Sequence, residues 1–206
     1  MVGITAYGAY IPWHRLSKQL VAKTWNGFAP PGERAVAYYD EDSITMAVAA
    51  SQDCLSGLDE KKVDGLYFAT TTAPYKEKLG SALIAMPLDL RREIRTADVT
   101  DSLRAGASAL AMAVDTVSAG SAASVLVAAS DMRLGAPNGA IEQQIGDGAA
   151  ALLVGKENVI AEVQAMHSIS DELAGNWRAE NDTYVRSLED RMTLDSGWSV
   201  EIPAAL

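Results

Sequence analysis

VDGLYFATTT, residues 63–72, is a near-continuous apolar and β-branched run. Such a run suits a strand covered on both faces of a parallel or mixed sheet, with its threonine-rich end emerging at a sheet edge. Downstream, RTADVT (95–100) reads as a short strand leading into DSLRAGASALAMAVDTVSAG (101–120), a long helix of small residues able to pack closely. SVLVAAS (124–130) is a second buried strand, and GDGAAALLVG (146–155) and VIAEVQAMHSI (159–169) are two further apolar runs, parted by Lys156, Glu157 and Asn158. A helix is expected within 79–88. Upstream, GITAYGAYI (3–11) predicts a first strand closed by Pro12. Ser17 is placed to cap a helix whose Leu20, Val21 and Trp25 share a face. NGFAPPGERAV (26–36) is a surface loop ending in the strand-like RAVAYY (34–39). In DEDSITMAVAASQDCLSG (40–57) three acidic residues precede an Ala-rich helix predicted over 43–56, with Gly57 near its end. Strands alternating with helices make the fold class α/β. Beyond residue 170 the composition turns acidic, polar and tryptophan-bearing, with no covering layer of its own.

At 206 residues and 49% hydrophobic, the chain can bury one sizeable core. A formal net charge of -10, from 17 Lys+Arg against 27 Asp+Glu, argues against nucleic-acid and anionic-membrane binding. The first residues form no basic segment followed by a long apolar run, and no window reaches the roughly 18 apolar residues of a membrane span. The expectation is a soluble, cytoplasmic protein. Cys54 is the single cysteine, so no internal disulfide can form, and with His14 and His167 it makes no zinc-ligand spacing. No metal is expected.

Five stretches, in order, resemble 3-hydroxy-3-methylglutaryl-CoA synthases of the thiolase superfamily: GERAVAYYDEDSITMAV (32–48), LYFATTTAPYKEK (66–78), SLRAGASAL (102–110), VLVAASDMRLG (125–135) and IGDGAAALLVG (145–155). In that superfamily a full chain carries two similar five-stranded halves. The resemblance implies a thiolase-like first half over residues 1–165, with one five-stranded mixed sheet and covering helices. HSISDELAGNWR (167–178) resembles the start of the second half, so 166–206 is that start or a partner-binding extension.

The family's chemistry uses a cysteine acylated by acetyl-CoA, a glutamate acting as general acid or base, and a histidine that positions the second acyl-CoA. A thiolate at a helix start is stabilised by the helix dipole, and a thioester exchanges readily with CoA. Here LRAGASAL puts Leu103 at the cysteine's position, and leucine cannot be acylated. A one-residue shift would put Ser102 there, but no base lies nearby in sequence, and Ser102 reads better as a helix N-cap. Matching the family's Pro-Tyr pair to Pro74 and Tyr75 places the glutamate's position at Thr71, which shuttles no proton at neutral pH. Either the condensation is lost, or a related aldol cleavage or acyl transfer uses other groups.

Among the remaining candidates, Cys54 recurs with Met46 and Ala50 at spacing four and reads as a buried structural thiol. His167 follows an apolar strand as a catalytic candidate against the reading of a hydrogen-bonded boundary residue, and His14 reads as solvated. The GDG at 146–148 lacks the lysine of a Walker motif and the third glycine of a dinucleotide loop. It reads as a tight turn in which Asp147 accepts backbone hydrogen bonds. Arg34 and Arg104 adjoin family-like stretches and are the candidate CoA contacts.

The resemblance implies an acyl-CoA-handling acyltransferase or C–C bond lyase that needs a complementary half or subunit. CoA thioester would be its substrate, with no tightly bound cofactor. The alternative is a non-catalytic scaffold subunit of an acyl-CoA enzyme complex. The expected partners are a second copy, or a hetero-complex with a thiolase and a zinc-bearing OB-fold protein.

Overall fold

The computed structural model describes residues 1–171 and 175–205, with the side chains at 190 and 196 left aside. In chain order the elements are β1 (Gly3–Tyr10), β2 (His14–Ser17), α1 (Lys18–Thr24), β3 (Glu33–Val36), α2 (Ser43–Cys54), β4 (Gly65–Ala69), α3 (Gly80–Ala85) and β5 (Arg95–Val99). They continue with α4 (Ala105–Ser118), β6 (Val125–Asp131), α5 (Ala140–Gln144), β7 (Gly148–Gly155), β8 (Ala161–Glu162), β9 (Asn176–Trp177), β10 (Arg186–Ser187), α6 (Asp190–Thr193) and α7 (Ser199–Ala205).

Two compact units are present. The first comprises Met1–Leu16, Ala35–Met132 and Gly146–Gln164. It holds a mixed sheet in the order β5-β4-β6-β7-β1-β8. β4 runs parallel to β5 and β6, while β7 is antiparallel to β6 and β1. The expected α/β architecture is therefore found, with a sixth strand added. The apolar run at 159–169 contributes a strand of only Ala161 and Glu162, opposite Ile4 and Gly3 of β1, flanked by bonds from the Ile160 N–H to the Ile4 carbonyl at 2.9 Å and from the Val163 N–H to the Val2 carbonyl at 3.1 Å.

Residues 65–69 of β4 are all buried, as a strand covered on both faces must be. Side chains alternate across the sheet. Leu66 and Phe68 enter a cluster with Ile44, Ala47, Ala50 and Cys54 of α2 and Ile84 of α3. Tyr67 and Ala69 enter a second cluster with Ala105, Ala109, Ala113 and Val117 of α4. The small residues expected to allow close packing do so. Ala109 and Ala113 are fully buried at spacing four.

α2 begins with a capping box. The Asp42 side chain accepts from the Thr45 N–H at 2.8 Å while the Asp42 N–H donates to the Thr45 hydroxyl at 2.7 Å. Glu41, expected to serve the helix dipole, instead accepts from the Tyr38 N–H at 2.7 Å and pairs with the Tyr10 hydroxyl. α2 lies so close to β1 that a Cβ on Gly8 would stand 2.2 Å from the Cys54 nitrogen. Cys54 is buried, as its helical spacing predicts, and desolvation pushes its thiol up to about 11. Gly57 follows the helix with φ +76°, in the left-handed region glycine tolerates.

The second unit comprises Ser17–Arg34, Arg133–Ile145 and Ala165–Leu206. Its α1 follows Ser17 as expected, but the Ser17 side chain makes no capping bond. Val21 is buried, whereas Leu20 is 57% exposed and does not share its environment. β9 and β10 pair through Trp177 and Arg186, and Val185 is buried and bridges to Gly135. Of the stretch read as the start of a second half, residues 172–174 lie outside the described residues. No helix among the described residues is long and apolar enough to cross a membrane.

Candidate functional site

In the first unit the parallel strands β4 and β6 end side by side, Ala69 opposite Ala129. Beyond that pair the chain opens a cleft of about 330 Å³ lined by Thr70, Leu103, Gly106, Ser130, Asp131 and Gly148, among others. Carboxyl ends of parallel strands form binding crevices because their loops diverge there while the sheet holds the floor rigid.

The best-organised group in the cleft is the carboxylate of Asp131. Its Oδ1 accepts from the Thr71 N–H at 2.7 Å, the Thr71 hydroxyl at 3.0 Å, the Thr70 hydroxyl at 3.1 Å and the Thr72 hydroxyl at 2.9 Å. The Thr72 hydroxyl in turn accepts from the Met132 N–H at 3.0 Å, and the Thr72 carbonyl accepts from the Ser43 hydroxyl at 2.9 Å. The three threonines that close the apolar run thus emerge at the sheet edge, as the sequence predicts, and their hydroxyls converge on one neighbouring carboxylate. No donor among the described residues meets Asp131 Oδ2. Ser130, buried beside it, donates to the Gly148 carbonyl at 3.3 Å.

The opposite wall is the first turn of α4, with Ala105 and Gly106 lining the cleft. Here the reading of Ser102 as N-cap is corrected. The helix starts at Ala105, Arg104 holds the cap position, and the Ser102 hydroxyl accepts from the Arg104 N–H at 3.1 Å one turn too early. The Ser102 carbonyl takes the Ala105 N–H at 2.9 Å, so residues 102–105 form a tight turn in which the serine hydroxyl is spent on the Arg104 N–H, ahead of the helix. Ser102 and Leu103 both line the cleft, and Leu103 is 57% exposed. Arg104 beside them is exposed.

The structure therefore brings Thr71, Ser102 and Leu103 around one feature, through Asp131 and the shared lining. His167 is exposed in the second unit. Arg34, also in the second unit, donates through Nη1 to the Ile145 carbonyl at 3.3 Å, while its Nε is buried without a partner among the described residues. Asp147 accepts a backbone hydrogen bond as expected, from the Ala37 N–H at 2.8 Å, but residues 145–147 form no turn and the donor lies 110 residues away in the chain. No group of three metal-ligating side chains occurs among the described residues.

Two features escaped the sequence reading. One is Asp131, whose signal was its place at the end of an apolar strand, where an acid has no packing reason to sit. The other is a groove of about 350 Å³ within the second unit, lined by Lys18, Trp25, Phe28, Pro30, Asn138 and Gln143. Trp25 and Phe28 are 42% and 88% exposed. Flat aromatic faces beside a lysine suit a planar ring carrying phosphate.

The chain is similar to the hydroxymethylglutaryl-CoA synthase of Methanocaldococcus jannaschii, 32% identical over 196 residues, covering 90% of this chain and 56% of that protein. It is 30% identical over 212 residues to the same enzyme of Methanocella arvoryzae, covering 99% of this chain and 61% of the relative. The chain thus spans little more than half the length of the curated relatives it matches. Among solved structures it resembles MvaS in complex with 3-hydroxy-3-methylglutaryl coenzyme A, with TM-score 0.85, 23% identity, and coverage of 94% of this chain and 49% of that one. It also resembles a 3-oxoacyl-(acyl-carrier-protein) synthase III, with TM-score 0.80, 17% identity, and coverage of 99% and 72%. At these identities the structural likeness is one of fold. No protein-family model matches the sequence.

Proposed function

We propose that this chain, a half-length homologue of hydroxymethylglutaryl-CoA synthases with a thiolase-like fold, handles acyl-CoA thioesters at the cleft between β4, β6 and α4, and completes its chemistry only with a complementary half or subunit. In this reading residues 1–165 correspond to the first half of the longer relatives, and 166–206 lead toward the missing part. The observation that carries the reading is the cleft itself. It opens at the carboxyl ends of two parallel strands, faces the first turn of a 14-residue helix, and has Leu103 on its lining.

A thioester carbonyl is neutral on binding and gains negative charge on its oxygen when attacked or enolised. A helix N-terminus meets that charge without reorganisation. The exposed Leu103 side chain offers an apolar contact for an acyl or pantetheine chain but no nucleophile, so the acyl group stays on CoA. Arg104 is the proposed cation for CoA beside the cleft. Arg34 is proposed as a further contact for CoA. The likeness to relatives that handle CoA supports this substrate class. The missing catalytic groups would come from a second copy, or from a thiolase and a zinc-bearing OB-fold protein.

Incubation with radiolabelled acetyl-CoA tests the reading. The expected result is saturable retention of label on the native chain that is wholly released on denaturation. Label surviving denaturation would show a covalent acyl-enzyme and overturn the role given to Leu103, and no retention would overturn the substrate class.

A further inference from the structure

We infer that Asp131 is a general base of the cleft, taking through Oδ2 a proton from the carbon next to a thioester carbonyl. The inference rests on the acyl-CoA reading above and deepens it, because it returns a proton-accepting group to a site where the family position, Thr71, has none.

Oδ1 is committed to four donors from residues 70–72, which fix the carboxylate plane from the β4 side. Oδ2 takes no hydrogen bond from the described residues, and Asp131 lines the cleft. A carboxylate held through one oxygen and open at the other is oriented before substrate arrives, which is what a positioned base requires. The same cleft carries the first turn of α4, with Ala105 and Gly106 in its lining. Four threonine donors would be an extravagant way to hold a residue that did no more than link two strand ends already paired in register up to Ala69 and Ala129.

In the step proposed, the C–H bond next to the thioester carbonyl breaks and its proton passes to Oδ2. The C–H electron pair forms the carbon–carbon double bond of an enolate, and the carbonyl pair moves onto oxygen, facing the positive end of α4. Return of a proton from the carboxyl restores the thioester. No oxidant, reductant or second substrate is consumed. A complementary subunit that brings an electrophile would capture the enolate instead, forming the carbon–carbon bond.

The test uses the full chain in ordinary water with acetyl-CoA deuterated on its methyl group. Loss of deuterium is followed by mass spectrometry, and binding of the same thioester is measured calorimetrically. The expected result is washout well above the buffer rate, lowered about a hundredfold by Asp131→Asn with binding retained. Asp131→Ser, which keeps a hydroxyl for the threonine donors, is the second variant, and added formate is expected to restore its washout. Binding without washout, or washout undiminished in a folded variant, overturns the base while leaving the substrate class standing. Absence of binding overturns the acyl-CoA reading and this inference with it.

Discussion

The backbone N–H of Thr71 donates to Asp131 Oδ1 at 2.7 Å, tying the end of β4 to the end of β6 just past their last paired residues. The contact joins residues 60 positions apart in the chain and brings the Thr71 and Thr72 hydroxyls to the same oxygen. Three hydroxyls and one amide therefore depend on a single carboxylate.

Removing that acceptor strands donors in a half-buried place, including the Thr70 side chain at 1% exposure. Asp131→Ala is expected to destabilise the chain by about 3 kcal/mol, and Asp131→Asn, which keeps an accepting oxygen, by about 1 kcal/mol. Urea denaturation of the three proteins measures both differences.

Packing between β1 and α2 sets a second expectation. A Cβ on Gly8 would stand 2.2 Å from the Cys54 nitrogen and 2.5 Å from the Ala50 carbonyl oxygen, both backbone atoms of a helix that cannot yield locally. Gly8→Ala is expected to cost about 3 kcal/mol or more, seen as a lowered midpoint of thermal unfolding.

The Cys54 thiol, raised from 9.0 to about 11 mainly by desolvation, gives a pH dependence of definite sign. Between these values the unfolded chain has released the thiol proton while the folded chain retains it. The unfolded state binds fewer protons there, so this residue's contribution to stability declines as pH rises from about 9 to about 11. Cys54→Ala removes that part of the decline. At pH 8 the thiol is expected to resist an aromatic disulfide reagent in the native chain and to react fully in denaturant.

At the cleft, Leu103→Cys puts a thiol on an exposed position of the lining, 57% accessible in the parent residue. Stability is expected to change by no more than about 0.5 kcal/mol. Under the proposed function the new thiol takes one acetyl group from acetyl-CoA, visible as a mass increase that denaturation does not reverse and hydroxylamine does. Parent protein stays unlabelled.

Much of this architecture was legible in the sequence because it is written in periodicity. The buried run of β4, the alanines of α4 at spacing four and the capped α2 each show a local pattern that burial enforces. The short β8 was less legible, since its pairing runs only from Ile160 to Val163 and an apolar run does not state where its pairing stops. Leu103 and Thr71 were singled out by motif order, and the structure connects both to one cleft. Asp131 carried only the faint signal of an acid ending an apolar strand, because its importance arises from three threonines just past the end of β4, a relation of tertiary structure. The start of α4 was placed too early because Ser102 resembles a cap in sequence, while in the tight turn at 102–105 its hydroxyl is spent on the Arg104 N–H, ahead of the helix.

Calorimetric titration of acetyl-CoA into the parent chain and into Gly106→Leu tests the central claim most directly. Gly106 faces the cleft with its nearest foreign atom, the Ala129 Cβ, 3.8 Å from where a Cβ would stand, so a leucine side chain extends into the space and suits the helix. The account predicts saturable binding to the parent and at least about a tenfold loss, roughly 1.4 kcal/mol, in the variant. Equal affinity in the two proteins, or no binding to the parent, would contradict it.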